Sequence, residues 1–144
     1  MATEDTLLWP FFADHHRAFA EQVQSFARAR LQNLTHDDVD KACKTRVLML
    51  VKAGTLGAVV PREYGGLHPS LDARTICLAR EILAYHDGLA DFAFAMQGLG
   101  SGPITLFGSP ELKARYLPAV AQGKAIAAFA LSEPEAAPTS PRWR

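Results

Sequence analysis

GSPELKARYLPAVAQGKAIAAFALSEPEA, residues 108–136, decides how the rest of the chain is read. Ser109 followed by Pro110 is a helix start: a hydroxyl to cap a free N–H, then a residue with none to satisfy. Leu112, Tyr116, Leu117 and Val120 recur at helical spacing and are expected to face inward, and Gly123 closes the helix. From 125 to 131 the pattern becomes that of a strand, and Pro134 forbids its ladder from continuing. The expectation is a helical unit that hands over to a sheet.

Working backwards from that helix, most of the chain reads as helix. Residues 11–34 carry a stripe at Phe12, Phe19, Val23, Phe26 and Arg30, the last meeting solvent. Thr35 is expected to cap a second helix, with Asp38 in capping-box position and a stripe at Val39, Cys43, Val47, Leu50 and Val51. Gly54 ends it in a left-handed cap. Residues 56–60 form a short apolar run, and PREYGG (61–66) is a loop. A third helix spans about 71–86, with a seam at Leu71, Thr75, Leu78, Ile82 and Tyr85 and a second apolar side at Ile76, Ala79 and Leu83. Gly88 interrupts. LADFAFAMQ (89–97) is apolar all round, which places its helix centrally. Gly98, Gly100, Gly102 and Pro103 either break that helix or keep its surface clear for something to approach. The fold expected is all-α, an antiparallel bundle of four to five helices with one C-terminal strand.

The totals bound the function. The 144 residues suffice for one domain with a real core. Fifteen basic residues cancel fifteen acidic ones, so a broad attraction to nucleic acid is not expected. The first nine residues carry Glu4 and Asp5 and no apolar core, unlike a secretory signal. No run approaches the roughly 20 apolar residues of a membrane span. A cytoplasmic protein is expected. Cys43 and Cys77 read as buried reduced thiols, since no second ligand stands at metal spacing.

Residues that could carry chemistry are few. His15 and His16 are adjacent, so their rings are expected on different faces of one helix, unable to share a metal. GLGSG (98–102) has no preceding strand and no Lys for a phosphate loop, and its glycines do not fit a nucleophile elbow. In FALSEP (129–134), the strand end would free backbone groups of 129–132 to bond the edge of a flat heterocycle, with the Ser132 hydroxyl adding one more. A plain strand-to-turn junction accounts for the same residues.

Three stretches, LGAVVPREYGG (56–66), PITLFG (103–108) and the 108–136 segment quoted above, together resemble the acyl-CoA dehydrogenase family. The likeness covers about residues 10–136, the family's N-terminal helical domain and the start of its middle β-domain. It implies an FAD enzyme in which a base removes the α-proton of an acyl-CoA thioester while hydride leaves the β-carbon for the flavin. Electrons then pass to an electron-transfer flavoprotein, within fatty acid metabolism. By position, Phe129, Leu131 and Ser132 match residues that line the flavin ring, Leu131 and Ser132 by hydrogen bonding. Phe92, Ala95 and Leu99 match positions lining the acyl-chain cavity. The resemblance assigns no catalytic residue and no metal ligand to this stretch.

The likeness stops after Ala136. Relatives continue with Gly-Ser-Asp, whereas Ala137, Pro138 and Thr139 add a Cβ and remove an N–H where the family approaches the pyrophosphate. One G inserted after the Ala136 codon, with GC-rich codons, turns AAPTSPRWR into AGSDVAAMA, a family-like continuation. The domain reading is therefore a bundle over 1–124, the first strand and turn of a β-domain over 125–136, and an aberrant tail, frameshifted or divergent, over 137–144. A chain so truncated is expected to be inactive and to bind FAD weakly or not at all. A helical module for interaction or homo-oligomer formation, with its apolar 89–107 region exposed, is the alternative.

Overall fold

In the computed structural model, residues 4–35 and 37–128 are described. Helix α1 is a single turn, Glu4–Leu7, followed by α2 (Asp14–Arg30), α3 (Val39–Lys52), α4 (Ala73–His86), α5 (Gly88–Phe107) and α6 (Pro110–Ala121). Two 3-10 turns, Thr55–Val59 and Arg62–Tyr64, join α3 to α4. Helix α2 packs on α4, while α5 packs on α3, α4 and α6, so the helix that is apolar all round is the central one. The all-α expectation holds. No helix of the described residues is long and apolar enough to cross a membrane.

Helices α3 to α6 each begin where a short polar side chain can satisfy the first free N–H groups. Asp38 caps α3 by accepting from Lys41 N at 3.0 Å, Asp72 caps α4 from Arg74 N at 3.0 Å, and Asp87 caps α5 from Leu89 N at 2.9 Å. Ser109 caps α6, with Pro110 next, as its sequence requires. The α3 cap is therefore Asp38 rather than Thr35, and the third helix starts after Asp72 rather than at Leu71. In both, the extended backbone of the aspartate turns its carboxylate onto the first turn. Gly54 and Gly123 follow α3 and α6 with φ of 73° and 66°, the left-handed geometry that favours glycine.

The core joins Phe19 and Val23 of α2, Val47 and Leu50 of α3, Leu78 and Leu83 of α4, Phe94 of α5 and Leu117 of α6, with Leu56, Val59 and Val60 of the connecting segment. Several apolar stripe residues stay outside it. Tyr85 is 67% exposed, and Val39, Leu112 and Tyr116 are exposed too, because the stripe extends beyond the neighbour that covers it. Cys43 is half-buried and Cys77 exposed, so the expectation of two buried thiols is not met, though both are free. Inward of them lies an unforeseen ion pair: Arg46 meets Asp87 at 3.0 Å with both side chains almost wholly buried.

Helix α5 does not break at its glycines. It runs unbroken to Phe107, even through Pro103. A Cβ on Gly98 would stand 3.3 Å from Val59, and one on Gly100 would stand 2.7 Å from the Ala127 Cβ. Gly98 leaves room for the Val59 side chain and Gly100 for the chain at Ala127 and Ala128, and tertiary packing overrides their low helix propensity.

The strand expected over 125–131 lies partly outside the described residues. Its first four residues, 125–128, join no backbone ladder, yet they alternate: Ala125 and Ala127 pack against the core while Ile126 and Ala128 are exposed.

Candidate functional site

Helix α5 presents two faces of different character. Ala90, Ala93, Phe94, Gln97 and Ser101 are buried against the bundle. Phe92, Ala95 and Leu99 occupy the opposite side at the three- and four-residue spacing that aligns side chains along a helix. Phe92 is 54% and Leu99 50% exposed, and Ala95 is half-buried between them. The three acyl-cavity candidates thus share one outward apolar face. Phe129, Leu131 and Ser132, the flavin candidates, lie outside the described residues. Asp91, the carboxylate next to Phe92, is held by both arms of the Arg80 guanidinium at 2.9 and 2.8 Å.

What sequence reasoning missed is the polar residue between those candidates. Gln97 is 1% exposed. Its Oε1 accepts from Ala127 N at 2.8 Å, and its Nε2 donates to the carbonyls of Ala127 and Ala93, each at 3.4 Å. Ser101 Oγ donates to Gln97 O at 2.6 Å and to Val59 O at 3.4 Å. A lone amide in an apolar helix was the available signal, because a buried amide must find partners.

A second cluster forms where α2 meets the start of α4. The rings of His15 and His16 lie 3.9 Å apart between centroids, and Nε2 of each faces Asp72 Oδ2, at 3.5 and 2.9 Å. The expectation that the two rings diverge is wrong. His15 is exposed and His16 is fully buried. Their two nitrogens and the carboxylate oxygen fall within 4.8 Å of one another, close enough to surround an ion. The hydrogen bonds argue for a different role. His16 Nδ1 accepts from Ala13 N at 2.9 Å, capping α2 from within. A neutral imidazole accepting there carries its proton on Nε2, which then donates to Asp72. A metal on Nε2 would move that proton to Nδ1 and break the cap. The cluster is a joint between helices.

The charge distribution supports that joint. Partial burial works against the Asp72 carboxylate, but hydrogen bonds from His16, Arg74 N, His15 and Thr75 N outweigh it and hold its pKa well below the usual range. His68, whose Nε2 lies 3.2 Å from Thr75 Oγ1, is pushed down by burial more than Asp72 raises it. A shallow cavity of about 480 Å³ opens beside His15, His68 and Arg74, and a groove of about 790 Å³ runs along Leu7, Gln24, Arg28 and Ile82. Neither is lined by Phe92, Ala95 or Leu99.

PREYGG, the loop within the first stretch of the likeness, is tightly turned. Gly66 N donates to Pro61 O, and a Cβ on Gly66 would fall 1.5 Å from Val60 O.

Known proteins share this arrangement. Residues 13–124 match the family model described as "Acyl-CoA dehydrogenase, N-terminal domain". A probable acyl-CoA dehydrogenase of Bacillus subtilis is 37% identical over 126 residues, which is 85% of this chain and 21% of that protein. A 3-(aryl)acrylate reductase of Clostridium sporogenes is 30% identical over 88% of this chain and 34% of its own length. The crystal structure of an acyl-CoA dehydrogenase complexed with FAD from Bacillus anthracis superposes with a TM-score of 0.65 at 34% identity, over 88% of this chain and 22% of that one. The chain spans roughly a fifth to a third of the length of these relatives. With the helical order, the loop at 61–66 and the central α5 all in place, the chain belongs to the acyl-CoA dehydrogenase family and carries its N-terminal helical domain.

Proposed function

We propose that these residues serve an FAD-dependent α,β-dehydrogenation of an acyl-CoA thioester, with electrons passed on to an electron-transfer flavoprotein. One observation carries the reading: a single helix, α5, bears the outward apolar face Phe92–Ala95–Leu99 and, from its buried side, holds Ala127, two residues before the segment matched to the flavin ring. FAD, when bound, supplies the hydride acceptor. The described residues fit a supporting role toward it: they anchor the chain up to 128, while the matched positions are Phe129, Leu131 and Ser132. Phe92, Ala95 and Leu99 offer an acyl chain an apolar wall, and such a wall excludes water from the carbons that react. No base is assigned here, since Asp91 is committed to Arg80.

By themselves the 144 residues are expected to lack dehydrogenase activity and to bind FAD weakly or not at all. The test is complementation. A family enzyme stripped of its own N-terminal domain is mixed with this chain, and acyl-CoA-dependent reduction of an artificial electron acceptor is measured. Activity above either part alone supports the reading. No activity, where the enzyme's own domain supplied in trans restores it, overturns it.

A helical self-association module is the second reading. Phe107 is 87% exposed, and Leu99, Leu106 and Ile126 are also exposed, apolar surface that a second copy would cover on association. Light scattering over a dilution series decides it: a monomer at every concentration removes this reading.

A further inference from the structure

We infer that Gln97, with Gly100, is a positioning device that sets the register in which the chain leaves the bundle toward residues 129–132. Its relevance to flavin rests on the function proposed above, but the device itself stands on geometry. A strand residue ordinarily satisfies its N–H and C=O through a neighbouring strand. At Ala127 that neighbour is replaced by one side chain: Gln97 Oε1 takes the N–H at 2.8 Å and Nε2 gives to the C=O at 3.4 Å. A primary amide is the side-chain group that presents an acceptor and donors as a peptide edge does.

The amide is itself held. It leans on Ala93 O, its own backbone carbonyl is taken by Ser101 Oγ, and Ser101 in turn reaches Val59 O. Gly100, one turn further along α5, leaves the space that Ala127 and Ala128 fill: an added Cβ would meet the Ala127 Cβ at 2.7 Å and Ala128 O at 2.9 Å. An acceptor, a donor and a missing Cβ therefore specify one depth and one register. A one-residue slip would put Ile126 or Ala128 at the amide and invert the alternation by which Ala125 and Ala127 pack inward. Apolar packing alone would tolerate such a slip among small side chains. The hydrogen-bonded pair does not.

The experiment is amide hydrogen exchange by NMR on the chain as it is, with the Leu50 and Leu83 amides as reference for global stability. In the unsubstituted chain the Ala127 amide is protected. In Gln97→Met, which keeps length and loses both hydrogen-bonding atoms, its exchange rises about tenfold or more while the references change little. Gln97→Glu provides a readout that packing cannot imitate. Its carboxyl oxygen still accepts from the Ala127 N–H, as Oε1 does in the unsubstituted chain, so Ala127 should keep protection that Gln97→Met loses. Ala127 protection unchanged in Gln97→Met, or lost as fully in Gln97→Glu as in Gln97→Met, overturns the proposal. Should the Met variant fail to fold, Gln97→Asn, whose amide is one methylene short of Ala127, takes its place with the same expected rise in exchange. Complementation reads the flavin chemistry and exchange reads the seat, so each can fail alone.

Discussion

His16 and Asp72, 56 residues apart, hold the N-terminal ends of two helices together through one 2.9 Å hydrogen bond. His16 Nδ1 caps Ala13 of α2 while Asp72 Oδ1 caps α4 at Arg74 and Thr75. One side-chain pair therefore satisfies free N–H groups at two helix starts and ties them to each other. Asp72→Asn has a single oxygen for both tasks and is expected to cost about 1–2 kcal/mol, and Asp72→Ala more. Urea unfolding of the two variants measures it. Equal stability of both with the parent chain would show the joint to be idle.

The same joint sets an acid limit. The folded-state pKa of Asp72 lies below its unfolded value, so its stabilisation is present above the unfolded value of about 4 and fades as pH falls below it. His68 and His86 are both lowered chiefly by burial, His86 also by Arg28. For these too, the folded state resists protonation, so stability is full above the unfolded value of about 6.5 and declines as pH drops through it. Thermal melts should therefore show two acid losses, a first below about pH 6.5 and a second below about pH 4. His68→Gln with His86→Gln should remove the first and leave the second.

Arg46 and Asp87 form an ion pair with both side chains shielded from water. Asp87 also caps α5 through its other oxygen. Asp87→Asn can keep the cap but strands the guanidinium, and a loss of about 3–5 kcal/mol is expected. Arg46→Met combined with Asp87→Asn removes the stranded charge and should recover much of that loss. Denaturant unfolding of the single and double variants gives the comparison.

Two glycines should respond in opposite directions to alanine. At Gly66 the new Cβ would overlap Val60 O, the loop must open, and a loss near 3 kcal/mol is expected. At Gly102, inside α5, a Cβ meets nothing within 4 Å, so alanine should stabilise by about 0.5–1 kcal/mol. Paired melting curves check both. A Gly66→Ala chain as stable as its parent would contradict the loop geometry.

The helices were legible in the sequence because their causes are local. Ser109 precedes an apolar period, and Gly54 and Gly123 follow one; the Asp72 and Asp87 caps emerged only with the structure. The centrality of α5 could be read from a run apolar on every side, although one of those sides, Phe92–Ala95–Leu99, faces outward. Where the reading slipped, the deciding contact was distant. Tyr85, Leu112 and Tyr116 sit on correct stripes, yet a stripe says which way a residue points, not how far its neighbour reaches. His15 and His16 diverge on an ideal helix drawn alone, but a carboxylate from another helix draws both rings to one place.

By itself, then, the sequence determined the order of the helices, the start and close of the last one, and the family, since capping, periodicity and a run such as GSPELKARYLP act over a few residues. Only the tertiary structure decided which polar groups meet: Gln97 with Ala127 across 30 residues, Arg46 with Asp87 across 41, and His16 with Asp72 across 56. The physical reason is burial. Once packing removes water from these groups each must find a partner, and that partner is set by how the helices lie together, which no local pattern encodes.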